Sequence, residues 1–307
     1  MDIAAPLHRA QESKPIGKAR KASLKAPFLD ESWMDGQPCC SAASFLVPRL
    51  RQCTFKLATI KWKTVKKIDG GLDGYLWRVY FGKDGPYVLK VFWDDVPPDF
   101  EHYYAVQRES QNAALLQMIE AAVQRAADRS TPIVVSANPE TKDEALANLL
   151  AFSDEGSQMS APAEGDEAEA ISSTPRMTKC HGWLKLSGQV FLQMPPRMRA
   201  PTVQVDKITR NMSPDKEYIA IVYEYVDDVA NHPRVVEEVD RFLWLVGFSH
   251  ADSPAAKNWR SSVLVDHSDI VHPRGFGWSR KLYGPMKASR ILVSQPGAST
   301  RASAVRL

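Results

Sequence analysis

Between Ile68 and Phe92 the chain reads IDGGLDGYLWRVYFGKDGPYVLKVF. Runs of β-branched and aromatic residues are punctuated by glycines, and the last run carries one charge, Lys90. A lysine on such a strand is costly to bury unless it is paired, so this stretch demands both a sheet and a partner for the ammonium. Tyr75–Phe81 and Tyr87–Trp93 are joined by GKDGP (Gly82–Pro86), in which Gly and Pro supply a hairpin turn. Gly71 and Gly74 mark the turn before. Glycine there lets the backbone approach a phosphate closely, and a lysine on the next strand can set a point charge against it.

The rest of the chain offers a short series of elements. Thr54–Ile68 alternates apolar and basic residues and predicts a strand with one wet face. The prolines of DDVPPD (Asp94–Asp99) interrupt the chain, after which Phe100–Arg125 changes to helical spacing, with Ala113, Leu115, Leu116, Ile119 and Val123 on a stripe. Cys180–Leu186, Gln189–Met194 and Glu217–Val226 read as strands. His232–Phe248 reads as an amphipathic helix with proline in its first turn and Val235, Val239, Phe242, Leu243 and Val246 as its apolar side. Ser261–Val271 reads as a strand ending in acids. This order of strands and helices implies an α+β fold, an antiparallel sheet with one packed helix followed by a reduced helical part.

Composition divides the chain. Residues 1–51 mix Pro, Ser, Ala and Lys with little periodicity and read as a disordered basic arm. Residues 126–175 hold ten Asp or Glu against two Lys or Arg, a local net of −8, and read as a disordered acidic insert. From Arg274 onward there are seven Lys or Arg and no acid, so residues 279–307 read as a disordered basic tail. The folded domain is then 52–278, enough for one core once the insert is set aside. The longest apolar run, Phe242–Phe248, is far short of the ~20 residues a membrane span needs. The N-terminus has no apolar core of a secretory signal, and Cys39, Cys40, Cys53 and Cys180 lack zinc-type spacing, so free thiols in an intracellular protein are expected. A net charge of +3 with no recognition motif does not suggest direct DNA binding.

Several segments together resemble the protein-kinase fold. The glycine turn aligns as Asp69-x-Gly71-x-x-Gly74-x-Leu76, with Asp69 where the family has its first glycine, and YVLK (Tyr87–Lys90) resembles the V-A-I-K strand. Glu109, nineteen positions after Lys90, stands near the family's spacing for the helix acid that orients the lysine. The same pair also reads as a structural salt bridge tying helix to sheet. IVYEYVDD (Ile221–Asp228) resembles the hinge, with Tyr223 as gatekeeper and Glu224 and Tyr225 in the adenine-binding linker. His250-Ala251-Asp252 followed by Asn258 resembles H-R-D-x-x-x-x-N with one extra residue and Ala for Arg, and VLVDHSD (Val263–Asp269) takes the place of the strand ending in D-F-G. The resemblance implies Asp252 as catalytic base if the protein is active. It implies Gly71, Gly74, Lys90, Glu109, Glu224 and Tyr225 around ATP, and Asn258 and Asp266 on Mg²⁺.

The combination IDGGLDGYLWRVYF, YVLKVFW, RES in the early helix, KCHGWLKL, FLWLVGF, KNW and LVDHSDIVHP resembles a fungal family, the Fta-two subunit of the inner-kinetochore Sim-four complex, whose domain is distantly kinase-like. The resemblance spans Cys53–Trp278 apart from the acidic insert. Asp69, Ala251 and Ser268 depart from the kinase pattern. The 38 residues after Asp269 contain no A-P-E, so the large lobe is expected to be reduced or truncated. The resemblance therefore implies a pseudokinase interaction module in the nucleus, with kinetochore subunits as protein partners and no membrane. The alternatives are a minimal ATP- and Mg-dependent phosphotransferase, or a nucleotide-binding switch that folds around ATP without transferring phosphate.

Overall fold

Side chains on one face of Gly74–Phe81 and Asp84–Phe92 (Tyr75, Trp77, Val79, Leu89, Val91) are buried together, and they organise a seven-stranded sheet. The computed structural model describes residues 17, 19–98, 103–159, 167–205, 208–252 and 254–293. Its strands run β1 (Leu29–Trp33), β2 (Leu50–Gln52), β3 (Lys66–Gly70), β4 (Gly74–Phe81) and β5 (Asp84–Phe92), then β6 (Ile133–Ser136), β7 (Ala168–Ile171), β8 (Cys180–Ser187), β9 (Val203–Val205), β10 (Ile208–Arg210) and β11 (Glu217–Glu224). Four two-residue strands follow, β12 (Ser249–His250), β13 (Trp259–Arg260), β14 (Val263–Leu264) and β15 (Ile270–Val271). The main sheet has the order β1-β2-β8-β11-β5-β4-β3.

The fold is mixed α/β with few helices. Helix α1 (Ala105–Asp128) packs on one sheet face, where Phe92, Trp183, Ile219, Ile221 and Tyr223 meet Tyr104, Val106, Ala113 and Ala114. Its second half joins α2 (Lys142–Leu150) and α3 (Pro233–Leu245) in a separate core that includes Leu115, Ile119, Val123, Leu149, Val239 and Phe242. One helix thus belongs to both cores. The expected helical stripe on α1 is buried throughout.

Several expectations are corrected. The sheet is mixed, because β1 pairs with β2 and β2 with β8 in parallel. Those two strands come from the segment expected to be a disordered arm. Residues 19–51 are built into the fold, with Gln107 donating to the carbonyls of Ser23 and Ala26 and with Phe45 fully buried. The acidic insert is likewise folded where it is described. β6 pairs with β7, α2 starts at a capping box between Thr141 and Glu144, and Ile133, Val135, Leu149, Phe152 and Ile171 enter the second core. Its described acids lie on the outer side, where Glu169 pairs with Arg241 and Asp154 with Arg125. The tail is likewise folded where it is described, with Tyr283 and Ile291 buried. Disorder expected for residues 1–16, 18, 160–166 and 294–307 lies outside the described residues, as does the predicted helix start at Phe100.

Smaller corrections have local causes. Thr54–Ile68 holds two 3₁₀ turns, Leu57–Thr59 and Trp62–Thr64, before β3 begins. Val190–Gln193 is a helical turn that buries Phe191 and Met194, three apart on one side. On α3 the exposed valine is Val235, and Val236 takes the buried place. Ser261–Val271 is broken twice. Ser261 (φ 49°) and Ser262 (φ 63°) form a two-residue turn between β13 and β14, and a 3₁₀ turn at His267–Asp269 follows.

Candidate functional site

The β3–β4 turn closes over a cleft of about 580 Å³ whose other walls include β5, the end of β11, Asp252 and the segments 255–260 and 265–269. That volume suits a nucleotide-sized ligand. Gly71, Gly74, Lys90, Glu224, Tyr225, Asp252, Asn258 and Asp266 all line it, so eight of the nine predicted site residues share one cavity. The ninth, Glu109, stands behind Lys90.

Lys90 sits at the floor and is 4 % exposed. Its Nζ lies 2.5 Å from Glu109 Oε2 and 2.9 Å from Asp266 Oδ1. The helix partner is the one the spacing predicts, whereas Asp266, expected as a Mg²⁺ ligand, is the second counter-charge of Lys90. Burial works against the ammonium, but Asp266 and then Glu109 more than offset it and hold Lys90 well above its ordinary pKa. Glu109 is fully buried, and burial pushes it up to about 7 against the pull of Lys90. For Asp266, burial is outweighed by Lys90 and by hydrogen bonds from Ser268, which keep it at about 2. Both carboxylates compete for one ammonium, and the wholly buried one gives way. The Tyr223 hydroxyl lies beside Glu109, yet neither it nor Glu109 Oε1 has a partner at hydrogen-bond geometry among the described residues.

On Asp266 the three donors, Lys90 Nζ (2.9 Å), Ser268 N (3.1 Å) and Ser268 Oγ (2.7 Å), all use Oδ1. The side chain is 30 % exposed, and Oδ2 has no donor among the described residues. Asn258 donates its Nδ2 to Asp269 Oδ2 at 2.5 Å. Asp269 also lines the cleft and was missed from the sequence. Burial first, and Asp266 second, raise it to about 6. Among the described residues no group of three or more His, Cys, Asp or Glu forms a ready-made metal cage. Mg²⁺ needs no such cage, since it takes one or two protein oxygens together with phosphate oxygens and water. Asp266, Asn258 and Asp269 fit that role, and Mg²⁺ bound there would supply charge neutralisation for a polyphosphate.

The two glycines of the turn do different things. A Cβ on Gly74 would lie 2.3 Å from the Val91 carbonyl oxygen, so glycine there lets β4 approach β5. Gly71 has open space around it and faces the cleft wall. The turn is pinned by Trp93, whose Nε1 donates to Gly71 O at 2.9 Å. Asp69 bends back onto its own chain, accepting from Gly70 N at 2.8 Å. Asp73 accepts from Tyr103 Oη, 2.8 and 2.7 Å from its two oxygens, and the Tyr103 ring lies 3.5 Å from the Arg108 guanidinium. Arg108 in turn donates to Ser268 O and Phe276 O. Tyr103 and Arg108 carried no sequence signal, because a tyrosine before a helix and an arginine in its first turn fit an ordinary surface helix.

At the end of β11, Glu224 turns away to a two-pronged pair with Arg176 (2.7 and 2.9 Å), and Tyr225 lies under Arg78. Burial of Glu224 is more than offset by Arg176, which lowers its pKa. With these charges drawn outward, Leu76, Val88, Tyr223 and Val265 leave an apolar end to the cleft. Opposite, His250 Nε2 lies 2.8 Å from Asp240 Oδ1 and the Ala251 N–H donates to Asp269 O, which anchors the segment bearing the exposed Asp252.

His267, between Asp266 and Ser268, is buried with its ring edge-on to Tyr223. Burial pushes its pKa from 6.5 down to about 4, Asp266 opposing and Lys90 assisting. From pH 6.5 down to 4 the unfolded chain therefore binds a proton there that the folded chain refuses, so stability falls as pH drops through this window. His267→Phe is expected to flatten the pH dependence of the unfolding free energy by nearly one proton, about 1.4 kcal/mol per pH unit. An unchanged slope would mean that the imidazole charges inside the fold.

Among the described residues no helix is long and apolar enough to cross a membrane. Comparison with protein-family models, curated proteins and solved structures finds no match for this chain.

Proposed function

We propose that this chain is a kinase-like domain that binds a Mg-nucleotide and works as an interaction module rather than as an efficient kinase. The observation that carries the reading is Lys90, held between Glu109 and Asp266 at the floor of the cleft beneath a glycine turn. These residues lie 19 and 176 positions from Lys90 in the chain, yet they meet at one buried point that opens on a nucleotide-sized cavity. The apolar end takes the base, the Asp266 side takes the phosphates, and Asp266 with Asn258 carries the metal. The non-catalytic reading is supported by Asp73, an acid fastened in the phosphate turn. The partners proposed are proteins, kinetochore subunits in the nucleus by the family resemblance.

The second reading is a phosphotransferase. It is favoured by Asp252, which is exposed on the cleft wall and positioned by the anchored His250 segment to take a proton from an acceptor hydroxyl.

Thermal unfolding with Mg-ATP tests both. At one hundred times its Kd a ligand stabilises by about 2.7 kcal/mol, which is about 5–10 °C for a domain of this size. The shift is expected in the wild type and is expected to be absent in Lys90→Met and Asp266→Asn. No shift in the wild type would sink the nucleotide reading. Phosphate release or transfer that stops in Asp252→Asn would replace the module by the enzyme.

A further inference from the structure

Lys90 has no charge to spare, since two carboxylates already balance it. The turn above it adds two more acids, Asp69 and Asp73. A chain of phosphates entering this cleft would meet repulsion from the side where a glycine turn ordinarily cradles it. The opposite wall, although it also carries Asp252, Asp266 and Asp269, adds two cations. Lys257, on the 3₁₀ turn Ala256–Asn258, and Arg260, on β13, both line the cleft. Neither has an ion-pair or hydrogen-bond partner among the described residues. Both are held close to Asp266 by a rigid connection. Arg260 pairs with Val263 across the serine turn, and the Asn258 carbonyl accepts from Val265 N at 2.8 Å, one residue before Asp266.

We infer that Lys257 and Arg260 are the phosphate-binding cations of this cleft, and that its ligand carries a polyphosphate chain rather than a single phosphate. Arginine offers a planar fork of donors to phosphate oxygens and lysine a compact charge, so two neighbouring residues of these types suit two successive phosphates. The phosphate chain then runs along the 257–260 wall, past Asp266, and away from Asp69 and Asp73. This assignment rests on the nucleotide reading above and adds to it the class of ligand and the wall that recognises it.

The test compares adenosine, AMP, ATP and inorganic tripolyphosphate, each with Mg²⁺, by titration calorimetry on the full chain. The variants are Lys257→Ala/Arg260→Ala and, as a control for general charge, Lys61→Ala/Lys63→Ala on the exposed turns outside the cleft. The expected result is that ATP binds the wild type much more tightly than adenosine or AMP. The cleft variant should lose about a hundredfold in ATP affinity, as for two charged hydrogen-bonding groups, with adenosine unchanged and the control variant unaffected. If the cleft variant binds ATP as the wild type does, while adenosine also binds, the assignment of these cations is wrong and the nucleotide reading stands. If the wild type binds neither ATP nor adenosine, the nucleotide reading itself is wrong and this inference falls with it.

Discussion

Replacing Lys90 by methionine is expected to destabilise the fold by about 3–5 kcal/mol at pH 8, because it strips the counter-charge from two carboxylates and leaves one of them wholly buried. Glu109 is 0 % exposed and has no other cation within ion-pair distance among the described residues. The loss depends on pH in a stated direction. Glu109 already titrates near 7 in the intact protein, and without Lys90 it moves higher still. A carboxyl whose folded pKa is raised adds stability below its unfolded value, and that stability is lost as the pH rises through the folded value. At pH 5 the variant's Glu109 is therefore protonated and neutral, and the gap between variant and wild type should narrow. Glu109→Gln should be milder at either pH, since Lys90 keeps Asp266. Denaturant unfolding at both pH values decides this. A gap that is equal or wider at pH 5 would mean that Glu109 is not the group left stranded.

Gly74→Ala is expected to cost about 3 kcal/mol, at the upper end of what overpacking ordinarily does, whereas Gly71→Ala should leave stability nearly unchanged. The new methyl at position 74 meets Val91 O at 2.3 Å, Val91 C at 3.1 Å and Phe92 Cα at 3.2 Å, all of them backbone atoms of a central strand. Nothing there is the loose end of a side chain, so relief requires β4 and β5 to part, beside the residue that carries Lys90. At position 71 the methyl enters open space. The two variants thus separate a strand-packing glycine from a cleft-facing one by one unfolding measurement. Equal losses would show that the turn as a whole, not the strand approach, requires glycine.

The parts of the site that were legible in the sequence are those governed by local chemistry. The hairpin from Gly74 to Phe92 follows from alternating apolar residues and Gly-Pro turn chemistry, and Glu109 follows from Lys90 by the length of one linker and one helical turn. Asp266 could be placed at a strand end, but not beside Lys90, from which it is separated by 176 positions. Asp269 and Tyr103 were passed over, since an acid in a loop and a tyrosine before a helix have no signature until another element faces them. The acidic insert was misread for a related reason. Its apolar residues are sparse, and average composition hides the fact that Ile133, Val135, Leu149, Phe152 and Ile171 each reach the same core. Likewise β1 and β2 are too short to announce themselves, and they form because β8 offers them an edge.

The glycine turn and Lys90, taken as sequence, determined that a sheet would form there and that the lysine would need a partner. Strand periodicity and the cost of an unpaired buried charge act over a few residues, and they were enough for that. Only the tertiary structure decided that the lysine has two partners, that Gly74 serves strand packing, and that Lys257 and Arg260 line the cleft without an ion-pair partner among the described residues. Those outcomes depend on which distant segments share a low-dielectric space, where each charge is balanced by its neighbours in space and not in sequence.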